Sequence, residues 1–329
     1  MRKPLPRQAI LRHGLLALKG SAVGLVSAAL LGPAPLPAQQ QYHLNPVIAK
    51  LERGEVVYGL STGDLSMAYA REVARAPADF IYVDLEHNPM DFPALRMFLL
   101  GMGDKAAVLR KGNLQPDVAL FARFAPGPDE SEWVVKQALD IGLHGILFNG
   151  VETPEQAEFA VQTMRYPPMK GAKYPEPRGI RGSAAGNATW AWGVSGAEYS
   201  RRADVWPLNP EGDLLAVMMV ETVEGLRNVD AIAAVPGVGA IFPGAGGDLS
   251  RELGVEQGDP ELEAAFQQIL RACQAHNVAC AITANNGNDV ARRVREGWII
   301  IRSTVPAITE GRRLLGETPA PAAPAAPAL

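Results

Sequence analysis

Polar residues able to do chemistry stand at the ends of short apolar runs. FIYV at 80–83 leads into Asp84, Glu86 and His87. VALFA at 118–122 leads into Arg123, ILF at 146–148 into Asn149, and LAVMMV at 215–220 into Glu221 and Thr222. AIF at 240–242 runs on to Gly244-Ala245-Gly246-Gly247-Asp248, and the two last runs end at Asn285-Asn286 and at Ser303-Thr304. Glu221 and Asp248 are oxygen donors of the kind that hold a hard divalent cation, although each could instead cap the helix that follows it. His87, three residues after Asp84, could be an acid/base oriented by that carboxylate, or a histidine satisfied by structural hydrogen bonds. Arg123 in an apolar run requires an anion, which a substrate oxygen or a structural salt bridge would supply. The glycines at 244, 246 and 247 let a backbone approach a ligand and offer amides to a carboxylate, or simply make a turn.

These residues share a site only if the runs are strands of one sheet whose carboxyl ends converge. Eight short β-branched runs between residues 55 and 304 alternate with helix-like segments such as 65–76, 130–141, 154–163 and 260–276. Many runs are apolar at successive positions, as in strands covered on both faces. Thr153-Pro154-Glu155 and Asp259-Pro260-Glu261 start helices with a cap followed by proline. The alternation predicts an α/β fold, a TIM (β/α)8 barrel over 39–316, in preference to an open doubly wound sheet, because no G-x-G-x-x-G follows the first strand. The stretch 166–210 shows no clean strand or helix but carries Trp190, Trp192, Tyr199 and Trp206. It is expected to be an ordered aromatic excursion after the fourth helix, serving as a lid or a subunit contact and favouring a bulky aldehyde partner.

The 329 residues are 47% hydrophobic and 20% charged, which supports a substantial core. A net charge of −4, with basic residues concentrated only near the N-terminus, speaks against nucleic acid as a partner. Residues 1–38 are basic, then apolar, then small and Pro-rich, the order of a secretory signal cut after Ala38. The apolar run is too short to stay in a bilayer as a spanning helix, so the mature protein is expected to be exported, periplasmic and free of the membrane. Residues 317–329 repeat Pro and Ala and are expected to form a solvated tail. Cys273 and Cys280 are too few for a disulfide framework and read as buried free thiols rather than a pair.

The sequence resembles the HpcH/HpaI aldolases, divalent-metal-dependent enzymes of the citrate lyase and phosphoenolpyruvate superfamily. The resemblance rests on ordered segments between about Asn45 and Leu315: DFIYVDLEHNPMDF at 79–92, Arg123, QALDIGLHGILFNGVETPEQA at 137–157, RYPP at 165–168, RGIRG at 178–182, VET at 220–222, NVDAIAAVPGVG at 228–239 and GAGGDLSRELGV at 244–255. It implies a TIM barrel, a homo-oligomer (a hexamer, or trimer of dimers, exchanging the last helix between paired subunits), and a Mg2+, Mn2+ or Co2+ cofactor on Glu221 and Asp248. By the same resemblance Arg123 steadies a pyruvate enolate oxygen, and His87, backed by Asp84, acts on the aldol hydroxyl. Glu86 organises a water, while Gly246 and Gly247 bind the pyruvate carboxylate. The implied reaction cleaves or forms a 4-hydroxy-2-oxo acid through a pyruvate enolate, with an aldehyde as the other partner. A related lyase or decarboxylase acting on another 2-oxo acid is an alternative, as is a non-catalytic exported carboxylate-binding protein. No lysine stands at a strand end to form a Schiff base. Met219 replaces a glutamine common in the family, the loop from Gly244 to Asp248 is one residue longer than usual, and the excursion is also longer.

Overall fold

A computed structural model describes residues 42–317. The expected signal segment 1–38 and all but the first residue of the Pro/Ala tail lie outside the described residues. The strands are β1 (Val57–Thr62), β2 (Phe80–Leu85), β3 (Ala119–Phe124), β4 (Gly145–Phe148), β5 (Val205–Trp206), β6 (Leu214–Met219), β7 (Ala240–Phe242), β8 (Ala279–Thr283) and β9 (Ile300–Arg302). They pair in the order β4-β3-β2-β1-β9-β8-β7-β6, every ladder parallel, and the β4–β6 pairing closes the ring. Two-residue β5 adds to the start of β6 outside that ring. The architecture is the expected eight-stranded parallel barrel with helices outside.

Alternation along each strand divides the apolar residues between two cores. Phe80, Tyr82, Ala119, Phe121, Leu147, Leu215, Val217, Met219, Phe242, Ala281 and Ile300 fill the barrel interior. Their neighbours in sequence, among them Ile81, Val83, Leu120, Ile146, Met218, Ile241 and Ile301, face the helices. Two inward positions must lack a side chain. A Cβ on Gly59 would lie 2.1 Å from the Phe80 ring, and one on Gly145 would lie 2.6 Å from Phe121. The two phenylalanine rings, 5.1 Å apart, occupy that space.

The helices follow the expected pattern. Pro154–Met164 starts with a full capping box, the Thr153 side chain meeting the Gln156 amide and Gln156 reaching back to Thr153. Pro260–His276 is capped by Asp259, as the sequence indicated. The first described helix, Pro46–Glu52, inserts Val47, Ile48 and Leu51 into the amino-terminal end of the barrel. Asp213, wholly buried just before β6, fixes this helix there. It accepts hydrogen bonds from the Leu44 and Asn45 amides and from Arg202, and lies 2.9 Å from the His43 imidazole. Burial opposes the charged form of Asp213, yet the bonds from His43 and Arg202 prevail and hold its pKa below the usual range.

Two expectations are corrected here. Cys273 and Cys280 are not free thiols but a disulfide, with Cα atoms 5.8 Å apart across the turn from helix Pro260–His276 into β8. Assignment of the two cysteines to different elements obscured that one tight turn brings those elements together. The excursion, expected to lack regular elements, contains helices Gly186–Trp192 and Gly196–Arg202 as well as β5. It follows a helix rather than a strand, so it covers the amino-terminal face of the barrel. Trp192 donates to the Gly142 carbonyl and stacks on His144, both just before β4. Tyr199 donates to the Leu139 carbonyl, while Arg165 binds Asp204 beside β5. Burial in this layer pushes the His144 imidazole down to about 4, so it is neutral at physiological pH. Trp190 is 78% exposed on the same face. Neither tryptophan approaches the carboxyl end of the strands, so the excursion gives no support to a bulky aldehyde partner.

Candidate active site at the carboxyl end of the barrel

The alternation that points Phe80 and Tyr82 inward carries on to Asp84 and Glu86. In the same way Phe121 predicts an inward Arg123, Leu147 an inward Asn149, and Met219 an inward Glu221. Neighbouring strands are staggered so that Asp84 lies beside Arg123 in the ladder. Arg123 is 91% buried and its guanidinium forks between two acids, Nη2 to Asp84 Oδ2 at 2.7 Å and Nη1 to Glu86 Oε2 at 2.7 Å. Burial is the largest single influence and opposes the Arg123 charge, but the Asp84 hydrogen bond together with the charges of Tyr82, Asp84 and Glu86 outweighs it and raises the pKa. For Asp84, burial pushes upward while the Arg123 bond and charge win, holding the carboxyl below its usual range. Of the two partners open to Arg123 on sequence grounds, the structure supplies the internal acids.

Glu86 is the hub of this cluster. Its Oε1 accepts from Asn149 Nδ2 at 2.8 Å, and its Oε2 lies 3.5 Å from His87 Nε2. Here an expectation fails: the His87 imidazole is next to Glu86, not Asp84. Asp84 instead accepts from the backbone amides of Glu86 and His87, folding the turn after β2. A separation of three residues was read as side-chain contact, whereas the turn uses it for a backbone bond. The His87 side chain is 65% exposed at the rim, within reach of a substrate entering the mouth.

Glu221 is 92% buried across the mouth, its Oε1 accepting from the Gly150 amide at 3.0 Å. Burial raises its pKa, and the negative charges of Glu86 and Asp248 raise it further against the opposing Gly150 bond and Arg123 charge. Asp248 stands in the first turn of helix Gly247–Leu253 after β7. Among the described residues no three His, Cys, Asp or Glu side chains gather closely enough to hold a metal ion alone. A buried carboxylate facing two more carboxylates is nonetheless the electrostatic setting that a divalent cation relieves, and the oxygen donors suit Mg2+, Mn2+ or Co2+. The Gly246 amide, expected to bind substrate, donates to the Pro243 carbonyl at 3.2 Å. At φ 78° Gly246 takes the left-handed conformation that begins the helix, and a Cβ there would meet Phe266 at 2.6 Å. The amides of Gly247 and Asp248 open this helix, and the first amides of a helix have no partner within it.

Residues missed from sequence are Gly150, whose amide holds Glu221, and Ser61 and Arg302, which meet at the end of β1 and β9. Asn149 was visible as a strand end, but its bond to Glu86 was not. Counting by twos from the buried Ile300 would have found Arg302.

A closed barrel with acids, an arginine and a histidine at the carboxyl mouth defines a barrel enzyme. Residues 62–305 match the family described as HpcH/HpaI aldolase/citrate lyase. The chain belongs to that family and is a lyase. It is 32% identical over 264 residues to a hydroxypyruvate/pyruvate aldolase of Chromohalobacter salexigens, covering 78% of this chain and 89% of the relative. It is 26% identical over 284 residues to a 5-keto-4-deoxy-D-glucarate aldolase of Salmonella paratyphi C, covering 83% and 96%. The crystal structure of a family protein from Burkholderia cenocepacia superposes with a TM-score of 0.65 at 27% identity, covering 83% of this chain and 98% of that one.

Proposed function

We propose that this chain catalyses reversible aldol cleavage of a 4-hydroxy-2-oxo acid to pyruvate and an aldehyde. The observation that carries the reading is the buried Glu221, crowded by Glu86 and Asp248 within the same mouth that holds Arg123. The aldolase relatives support it. Glu221 and Asp248 would hold the divalent cation, which when bound draws electron density from a 2-oxo acid's carbonyl and so makes its enolate accessible.

The protein's own groups do the rest. His87, at the rim with its imidazole 3.5 Å from Glu86, takes the proton of the 4-hydroxyl. The C3–C4 bond then breaks, its electron pair passes into the C2–C3 enolate, and the aldehyde leaves. Arg123, locked in direction by Asp84 and Glu86, presents its guanidinium edge to the enolate oxygen. The Gly247 and Asp248 amides face the substrate carboxylate. Protonation at C3 completes pyruvate.

Exchange of pyruvate C3 protons in deuterated water, followed by NMR, tests the enolate half without knowledge of the aldehyde. Exchange is expected with Mg2+, Mn2+ or Co2+ restored to EDTA-treated protein and not with EDTA present. Failure with all three ions would sink the reading.

We also read the chain as exported, from the basic and apolar segment before Ala38 and from the Cys273–Cys280 disulfide, which suits an oxidising compartment. Protein recovered from the periplasm is expected to begin at Gln39 and to contain no titratable thiol. An N-terminus still at Met1 and two free thiols would reverse that conclusion.

A further inference from the structure

Two acids of the mouth, Glu86 and Glu221, lie close enough for the charge of one to disfavour that of the other. Both are held by consecutive residues at the end of β4, and the chemistry above makes no use of either residue. In the ring β4 stands between β3 and β6, so its carboxyl end separates Arg123 from Glu221. Asn149 gives its side chain to one acid, donating from Nδ2 to Glu86 Oε1 at 2.8 Å. Gly150 gives its backbone to the other, donating from its amide to Glu221 Oε1 at 3.0 Å.

Each of these donors carries a local cost. The Asn149 nitrogen faces the Ala125 carbonyl as well as Glu86, which settles which way round the amide lies. Its Oδ1 is then buried with no hydrogen-bond partner among the described residues, a loss of stability that a purely structural side chain would avoid. Gly150 has φ 60°, in the left-handed region. A Cβ there would meet nothing within 4 Å, so the backbone conformation and not the space calls for glycine. The base beneath the two donors is firm. The Val151 amide donates to the Met219 carbonyl on β6 at 3.0 Å, and Thr153 opens the capped helix that follows.

We propose that Asn149 and Gly150 are a positioning pair, a bracket that holds Glu86 and Glu221 in fixed directions before cation or substrate arrives. This role rests on the aldolase reading and adds two residues to it. Two like-charged carboxylates without such donors turn away from one another, and binding must then draw them back. Asn149 acts through Glu86, and so through the contacts of that acid with Arg123 and His87. Gly150 acts through Glu221, and so through the hold on the cation. The two losses therefore register in different measurements.

The test uses the EDTA-treated full chain. Mn2+ affinity is measured by calorimetry, beside pyruvate C3 exchange at saturating Mn2+ and urea unfolding in EDTA. Gly150→Ala is expected to weaken Mn2+ binding about 10- to 100-fold, with exchange largely recovered at saturating metal. Gly150→Asn, whose residue type tolerates the left-handed region, should bind Mn2+ nearly as wild type does. Asn149→Leu, similar in size but without the donor, should lower exchange about 10- to 100-fold at saturating Mn2+ and leave the affinity nearly unchanged. Asn149→Ala, which cannot overfill the site, should match it. Gly150→Asn as weak as Gly150→Ala, or full exchange in both Asn149 variants, overturns the assignment. So does a parallel fall of affinity, exchange and unfolding midpoint in every variant, the mark of a merely structural turn. Wild-type exchange separates the two levels. Exchange that the variants leave untouched removes the positioning pair alone, and absence of exchange removes the aldolase reading together with it.

Discussion

Glu221→Gln is expected to lower metal-supported pyruvate exchange by about 1,000-fold or more, while making the metal-free protein more stable. The two effects have one origin. The amide has nearly the shape of the carboxylate and can still accept from Gly150, but it brings no charge to a divalent cation. Without metal, that charge is a burden, because burial and the neighbouring Glu86 and Asp248 all disfavour it. An acid whose folded pKa lies above its unfolded value destabilises the fold as pH rises through the folded pKa. Metal-free wild type should therefore lose stability across the range above ordinary carboxylate values, and Glu221→Gln should lack that decline. Urea unfolding against pH in EDTA, paired with exchange in Mn2+, measures both. A variant that kept full exchange would show that Glu221 is no ligand.

Arg123→Met should do the opposite to stability. It leaves Asp84 and Glu86 facing one another in a largely buried mouth, at a cost of about 3–5 kcal/mol near neutral pH. Exchange should fall by about 100- to 1,000-fold with the loss of the donor to the enolate oxygen. The stability deficit should shrink in acid. Asp84 has a folded pKa below its unfolded one, so the stability it contributes is present above the unfolded value and is lost as pH falls through the folded value. Denaturation midpoints of both proteins should draw together below about pH 4, where unfolded carboxylates protonate. A deficit independent of pH would mean that packing, not the ion pairs, was removed. Arg123→Lys should retain part of the stability and less of the activity, since an ammonium cannot fork between two acids.

The barrel was legible in the sequence because its signal is repeated. Eight β-branched runs separated by helices leave few alternatives, and each run ends close to where the structure ends the strand. Asp84, Glu86, Arg123 and Glu221 were also legible, since charged residues at the end of apolar strands have nowhere inconspicuous to go. What the sequence concealed is the direction of contacts over a few residues. Spacing put His87 beside Asp84, but the turn gives Asp84 the backbone amides and Glu86 the imidazole. Cys273 and Cys280 sat in separate elements on paper and share one turn in space. The aromatic excursion was recognised as ordered, but of its two expected roles, a lid or a subunit contact, the lid would have placed it over the chemistry. Its position after a helix, rather than after a strand, already specified the opposite face. Arg302 was overlooked because it follows three isoleucines as part of a strand, where only the alternation reveals which way it looks.

The helix Pro46–Glu52 turns the barrel into a vessel with one door. With Val47, Ile48 and Leu51 seated in the amino-terminal end, reactants and products must share the carboxyl opening, so release of one fragment precedes entry of the next from the same side. This stopper hangs on Leu44 and Asn45, whose amides are tied to Asp213. The cleavage after Ala38 that we propose would clear those anchors by a handful of residues. A protease that trimmed the chain past Asn45 would pull the stopper and flood the apolar axis beneath the mouth, so those two amides are where the closed end of the barrel is most easily undone.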